Sequence, residues 1–507
     1  MARSCGVGVT ASTARKSYGN DILTSAGRYK CNNAKQLGYQ LRCALASSPA
    51  YSFYSPFSSE VYGLSETGKQ IAMSIHRLIG SPVVWIALGL SLLTQATYFT
   101  LDHEHYGADT PSYLIPADNL LHGHGFVNAL HQPELLRTPG YPLLLALFRI
   151  APLKVEYLIV VQHLLCVLLA VAVAAIALRI TGSRLVACVA AVVMSLDLAT
   201  LRVANLLLTE VVFMLLISLI CWILYRAMTN PTGKGIAIAG AGLLGGYAVL
   251  VRPVGVLYFV PLSLCLFLVL RRRALRPVLI LVVFFLILPV LWATRNFVEG
   301  GYFGISAVGA EDILYYRAAG AIAIQQPGSY TANILKVNGE LIQQTCSDLE
   351  QMYQRDCSQI TDKQQAAYAS RKGLSIIRKH PLSYLHSMTV SLAYLVFGGG
   401  AEALSRVSHI SPRIAEGIVL LFTVPEVCLA LIGCWYWYQR DRILCWLLVL
   451  TIAYFLGISA GGEAYSRFKV PIMPMYALLI GGGAAGMVEW AQRARTPRTS
   501  SATAVAD

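Results

Sequence analysis

The sequence predicts an all-α polytopic membrane protein, a bundle of about 10–12 transmembrane helices, on three observations. Of its 507 residues, 56% are hydrophobic and only 13% are charged, whereas soluble domains carry about a quarter charged residues. The apolar residues are gathered into runs near the length, about 20 residues, that carries a helix across the hydrocarbon core. The basic residues cluster in the gaps between runs, as Lys and Arg do in cytoplasmic loops. The same pattern accounts for the net charge of +14. No basic patch with interleaved aromatics lies outside the runs, so no nucleic-acid partner is expected.

Residues 1–81 are Ser-rich and basic, with no apolar h-region and cleavage site. They predict a cytoplasmic tail without a packed core, an organellar transit peptide being the alternative. The core then runs through 82–294. Its first crossing, Val83 to Leu101, should exit outward. Tyr157–Leu178, Leu185–Leu201 and Leu206–Tyr225 follow, with Arg179, Arg184, Arg226 and Lys234 inside. Gly235 to Leu270 is long enough for two crossings that turn outside near Arg252-Pro253. Arg271, Arg272, Arg273 and Arg276 mark the next inner turn, before Val278–Ala293. Gly417–Trp437, Ile443–Ile458 and Val470–Trp490 complete the C-terminal part, 384–490, with Arg440 and Arg442 inside. A second inner tail, 491–507, carries Arg493, Arg495 and Arg498. The two ends agree on orientation only if the short Tyr384–Val396 segment lies in the interface or re-enters, which leaves about ten crossings.

Two large outer segments result, 102–156 and 295–383. Unstructured loops of such length are uncommon without a function. The second holds Cys346 and Cys357, the only cysteines expected outside. A local disulfide and two free thiols are both open.

The first outer segment concentrates polar chemistry. Asp109 or Thr110 is a plausible helix N-cap with Pro111 at the first helical position. Tyr113, Leu114, Ala117, Leu120 and Leu121 then share one helical face. That helix should lie on the bilayer surface, kinked by Pro116 and stopped at Gly123 and Gly125. Asp118 falls on its polar side. Arg137-Thr138-Pro139-Gly140-Tyr141-Pro142 forces a second surface turn before Leu143–Phe148.

Taken in order, these pieces resemble glycosyltransferase family 39, the dolichyl-phosphate-mannose protein mannosyltransferases and lipid A aminoarabinose transferases. The likeness starts with an acidic residue after the first crossing, a Tyr113-x₃-Ala117-x₂-Leu120-x₂-Gly123-x-Gly125-Phe126 helix and RTPGYPLLLALF at 137–148. Leu207-Leu208-Thr209-Glu210, Arg252-Pro253, Arg295-Asn296 with Gly301 and Phe303, and His380-Pro381-x₂-Tyr384-Leu385 follow. Tyr465-x-Arg467-Phe468-x₂-Pro471-x₂-Pro474 closes the series, so the likeness covers about 82–490. Pro116 departs from the pattern, which has a helix former there. Thr110 also departs, since the protein mannosyltransferases have Asp-Glu at 109–110. The resemblance implies a GT-C-like bundle and transfer of a sugar from a polyprenyl-phosphate donor to a hydroxyl acceptor. It casts Asp109 as general base in a single inverting step and requires no cofactor, although some relatives are thought to hold a divalent ion.

The residues fit that chemistry on their own terms. An attacking hydroxyl must lose a proton, which a carboxylate can take. A departing lipid phosphate needs cations, and guanidinium grips phosphate in bidentate fashion. The candidate phosphate ligands are Arg137, Arg252, Arg295, Arg467 and Lys469, each of which could instead anchor the interface. Glu210, ionisable at membrane depth, is the second catalytic candidate, or else a structural partner for Arg202. Asp109 could be only an N-cap. Tyr113 and Tyr141 could bind sugar or acceptor, or serve as interfacial aromatics. His103/His105 and His122/His124 have H-x-H spacing that can serve a metal, against solvated interfacial histidines. A transporter or flippase, and a surface-polysaccharide polymerase or ligase, are the rival classes. Transporters show inverted repeats with breaks near the midplane, whereas the breaks seen here fall at one surface.

Overall fold

The computed structural model describes residues 80–495 apart from 151–153, 155, 231–232 and 463–464. The expected tails fall largely outside the described residues. Within them the chain is helical, and a single β-bridge, Val127 to Pro133, lies in the first loop.

Helix α1 (Pro82–Leu101) opens with Pro82 in its first turn, where a missing N–H costs nothing. α2 (Thr110–Leu121) and α3 (Gly140–Ile150) lie in the first loop. α4 (Tyr157–Thr181) stops at Gly182, whose φ of 67° is left-handed. α5 (Arg184–Leu196) and α6 (Leu198–Ala204) form one pair bent by 52° at Asp197. Asp197 accepts from Thr200 N and so caps α6. α7 (Glu210–Thr229), α8 (Lys234–Val251), α9 (Phe259–Leu270) and α10 (Leu275–Gly300) follow as the central hairpins. The second loop holds α11 (Val308–Glu311), a π-helix over Asp312–Ala318, α12 (Ala319–Ala323), α13 (Tyr330–Tyr353) and α14 (Asp362–Lys379). α15 (Pro381–Phe397) and α16 (Ala401–Ser408) are a second bent pair, 48°. α17 (Pro412–Arg440), α18 (Arg442–Ile458), a 3₁₀ segment over Ser466–Ile472 and α19 (Met473–Arg495) end the fold.

Among the described residues, eight helices are long and apolar enough to cross a membrane, or ten if each bent pair counts as one span. The chain is therefore an all-α, multi-pass membrane protein. Gly235–Leu270 does split at Arg252-Pro253 into α8 and α9. Ile443–Ile458 falls in α18, a shorter apolar helix. Tyr384–Val396 lies in α15, and the bend after it falls in a Gly398-Gly399-Gly400 run.

The bundle closes through small residues, which bring helix backbones into van der Waals contact where lipid offers no hydrophobic drive. On α17 and α19, a Cβ added at Gly433 would lie 1.9 Å from Leu479 O, and one at Gly483 would lie 1.9 Å from Leu429 O. The main core spans α4 to α10 and α17 to α19. The second loop has a core of its own, with Leu314, Ile334, Val337 and Leu341 buried together. It is thus a small helical subdomain, and Cys346 and Cys357 are joined in it as a disulfide. α10 continues to Gly300, past the boundary of 294 expected from its apolar run.

Candidate active site

The first loop is tied down before it reaches Asp109. Leu207 N donates to His105 O at 3.0 Å. The buried Thr110 hydroxyl donates to Leu207 O at 3.1 Å and accepts from Gly107 N at 2.9 Å. These bonds fix the start of α2 against the 205–208 turn. Asp109 occupies the N-cap position of α2, yet its side chain caps nothing. Its carboxylate is spent on two guanidiniums, Arg137 Nη2 to Oδ1 at 2.9 Å and Arg467 Nη1 to Oδ2 at 2.9 Å. The bare N-cap reading therefore fails.

Arg137 is held from several sides. Its Nε donates to Ser112 Oγ at 2.8 Å and its Nη1 to Tyr113 OH at 3.3 Å. The guanidinium lies 4.7 Å from the Tyr113 ring centroid, a cation–π contact. Its backbone N donates to Glu134 Oε1 at 2.8 Å.

Glu210, buried in the first turn of α7, takes Arg252 Nη1 at 2.7 Å and has Arg467 Nε at 3.9 Å. Arg252 also donates to Thr209 Oγ1 at 3.1 Å. The Phe468 ring supports both cations, with Arg252 at 5.0 Å and Arg467 at 5.1 Å from its centroid. Arg202 is not the partner of Glu210. It pairs instead with Asp102 at 2.7 Å and Glu104 at 2.6 Å, and Arg406 of α16 joins Glu104.

The cluster therefore gathers Asp109, Glu210, Arg137, Arg252 and Arg467 from the first loop and the ends of α7, α8 and the last span. Three guanidiniums face two carboxylates, leaving one positive charge. Burial alone would raise the Asp109 pKa, but Arg467 and Arg137 outweigh it and hold the carboxyl below its usual value.

Three sequence candidates go elsewhere. Arg295 donates to Phe126 O at 2.7 Å and Glu134 O at 3.0 Å and stacks on Trp292, so it braces the first loop. Lys469 is 3% exposed and faces Asp197 at 3.5 Å, because the 3₁₀ turn aims it at the α5–α6 bend rather than at Asp109. Tyr141 is fully buried, with its hydroxyl on Gln162 Oε1 at 3.1 Å, and is closed to any sugar. Asp118, on the polar side of α2, stays partly exposed and pairs there with Arg149. Tyr113 stays at the cluster through Arg137, packed edge-on to Tyr141.

The histidines also find local partners. His105 Nδ1 meets Asn205 O at 3.2 Å, and His122 Nδ1 meets Asp118 O at 2.8 Å. His122 and His124 stack on each other. Among the described residues no three His, Cys, Asp or Glu side chains are grouped to hold a metal ion.

A cavity of about 690 Å³ is lined by none of the five cluster residues but reaches Tyr465, whose ring centroid lies 5.9 Å from the Arg467 guanidinium. Ile334, Tyr394, Phe397 and Leu420 give it apolar walls, and Tyr465 and Ser466, the residues before Arg467, line it too. No sequence pattern announced it, since its walls come from four separate stretches. Ser112 was equally silent, while Thr209 and Phe468 stood in the quoted motifs without a role assigned to them.

No protein-family model matches the chain, and no curated protein matches it significantly. The likeness to glycosyltransferase family 39 thus stands on the quoted residues alone.

Proposed function

We propose that the protein is a membrane glycosyltransferase that moves a sugar from a polyprenyl-phosphate donor to a hydroxyl acceptor. The observation that carries this is the five-residue cluster. A carboxylate suited to take a proton stands among guanidiniums with one positive charge left over, and Arg467 adjoins Tyr465 in the wall of a mostly apolar cavity. The cavity would take part of the prenyl chain, and the guanidiniums the phosphate.

In the transfer step Asp109 takes the acceptor proton as the acceptor oxygen bonds to the anomeric carbon. The bond from that carbon to the phosphate oxygen breaks, and the electron pair leaves with the lipid phosphate. Arg467 and Arg252 stabilise the new charge. A single displacement of this kind inverts the anomeric centre. Glu210 holds Arg252 in place and so acts at one remove. The basic turns at the far helix ends support a cluster on the outer face, and the reading takes the membrane to be a plasma membrane of bacterial type. The acceptor is then a protein, lipid or glycan hydroxyl on that side.

Reconstitution with a panel of polyprenyl-phosphate sugars tests the reading, scored as released polyprenyl phosphate. Asp109→Asn should slow release by about 10²–10⁴-fold, the usual worth of a general base. If wild type consumes no donor, or Asp109→Asn matches it, the proposal falls. The two bent helix pairs favour a second reading, a transporter of lipid-linked glycan. In the same vesicles that protein would move the donor across the bilayer intact.

A further inference from the structure

Arg467 is the least satisfied member of the cluster. Its Nη1 holds Asp109 at 2.9 Å, while its Nε is buried and has no hydrogen-bond partner. Glu210 Oε1, 3.9 Å from that Nε, is too far to accept from it. A buried donor left unmade costs about 1–3 kcal/mol, so the site is short of one acceptor oxygen. Arg137, by contrast, has Ser112, Tyr113 and Asp109 on its three nitrogens. The chain that carries Arg467 is a 3₁₀ segment, and its Tyr465 and Ser466 neighbours line the cavity. The Arg467 guanidinium lies 5.9 Å from the centroid of the Tyr465 ring in that cavity wall.

A phosphate on Arg467 competes with Asp109 for the same guanidinium. It brings more oxygens and more charge than the carboxylate, and Arg presents a fork that fits it. Both oxygens of Asp109 are occupied meanwhile, one by each arginine. A carboxylate so paired is a poor base, and an acceptor hydroxyl finds no open oxygen along either ion-pair direction.

Resting on the transferase reading, we infer that Arg467 is an exchangeable latch on the base: the donor's phosphate takes the guanidinium from Asp109, so the base opens to the acceptor only after the donor has bound. Arg137 stays, fixed by Ser112 and Tyr113, and keeps the freed carboxylate oriented. The reaction is then ordered, donor first. The polyprenyl phosphate left after transfer holds the latch open until it departs.

Carbodiimide coupling of glycine ethyl ester to Asp109, read by peptide mass spectrometry in nanodiscs, tests the latch. Three additions are compared: a polyprenyl phosphate, the matching polyprenol, and inorganic phosphate at equal concentration. The polyprenyl phosphate alone should raise Asp109 labelling severalfold. Arg467→Gln should be labelled heavily without addition and respond no further. Should that variant fail to fold, the wild-type arms decide. Labelling that the polyprenyl phosphate leaves flat or lowers overturns the latch. An equal rise with inorganic phosphate overturns its assignment to a lipid ligand. Donor consumption is scored in parallel: turnover with unresponsive labelling sinks the latch alone, and responsive labelling without turnover sinks the transferase.

Discussion

At the scale of single residues, Asp109 sits between opposing electrostatic influences. Burial pushes the Asp109 carboxyl toward its neutral form, while Arg467 and Arg137 pull it the other way and win. Its pKa is thus below the usual carboxylate value, and the group is ionised throughout the neutral range. In a pH–rate profile of kcat/KM, the acid limb set by Asp109 should lie below that of an ordinary aspartate. Arg137→Gln removes one of the two opposing cations. We expect the limb to move to higher pH, with a lower plateau from the lost positioning. A limb that stays in place would mean that another group titrates there. Five of the seven acidic and basic candidates marked by the motifs do converge. Arg295 and Lys469 do not, for a physical reason. A cation at a helix end is visible in sequence, but its direction depends on the local turn. A 3₁₀ segment rotates Lys469 away from its neighbour Arg467. Tyr141 is similar: its place in RTPGYP was legible, and its burial under α4 was not.

At the scale of elements, the first loop and the helical subdomain are joined through the strand of residues around Leu135. Ala307 N donates to Leu135 O at 2.9 Å, and Ser306 Oγ donates to Leu136 O at 2.5 Å. Glu311, at the end of α11, is half-buried within electrostatic reach of Glu134, Arg137 and Asp362. Burial raises its pKa to about 7, with Asp362 and Glu134 adding to the rise and Arg137 opposing it. The folded value lies above the ordinary 4.5, so the native state holds more protons between the two. Stability contributed by this group is therefore complete at low pH and is lost as pH climbs from about 4.5 through about 7. Glu311→Gln should flatten that fall, seen as a melting temperature that separates upward from wild type between about pH 5 and 8. Parallel curves would remove Glu311 from the account. The crossings were legible because about 20 apolar residues leave few alternatives. The subdomain was expected only as a loop. Its helices α13 and α14 are amphipathic and short of long apolar runs, and their shared core draws on residues far apart in sequence.

At the scale of the whole molecule, helix alternation sorts charge by end. Arg179, Arg184, Arg226, Lys234, Arg271, Arg272, Arg273, Arg276, Arg440 and Arg442 sit at helix ends away from Asp109. The opposite end holds the ion-pair cluster, the cavity beside Tyr465 and the disulfide-bearing subdomain. Exposed turns rich in cations resist translocation, whereas the cations near Asp109 are mostly matched by carboxylates. That asymmetry is the ground for the proposed orientation, and the disulfide supplies an independent test of it. A bridge between Cys346 and Cys357 persists in an oxidising compartment and not in a reducing one. In intact cells, a membrane-impermeant maleimide should therefore label this pair only after reduction. The same reagent should do so without any permeabilisation. Among the described residues the free cysteines lie within helices, and all unbonded cysteines set the background. Labelling that requires lysis would turn the molecule over. Asp109 would then face the reducing side, where no translocated acceptor waits, and the orientation argument would fail together with the choice of acceptor.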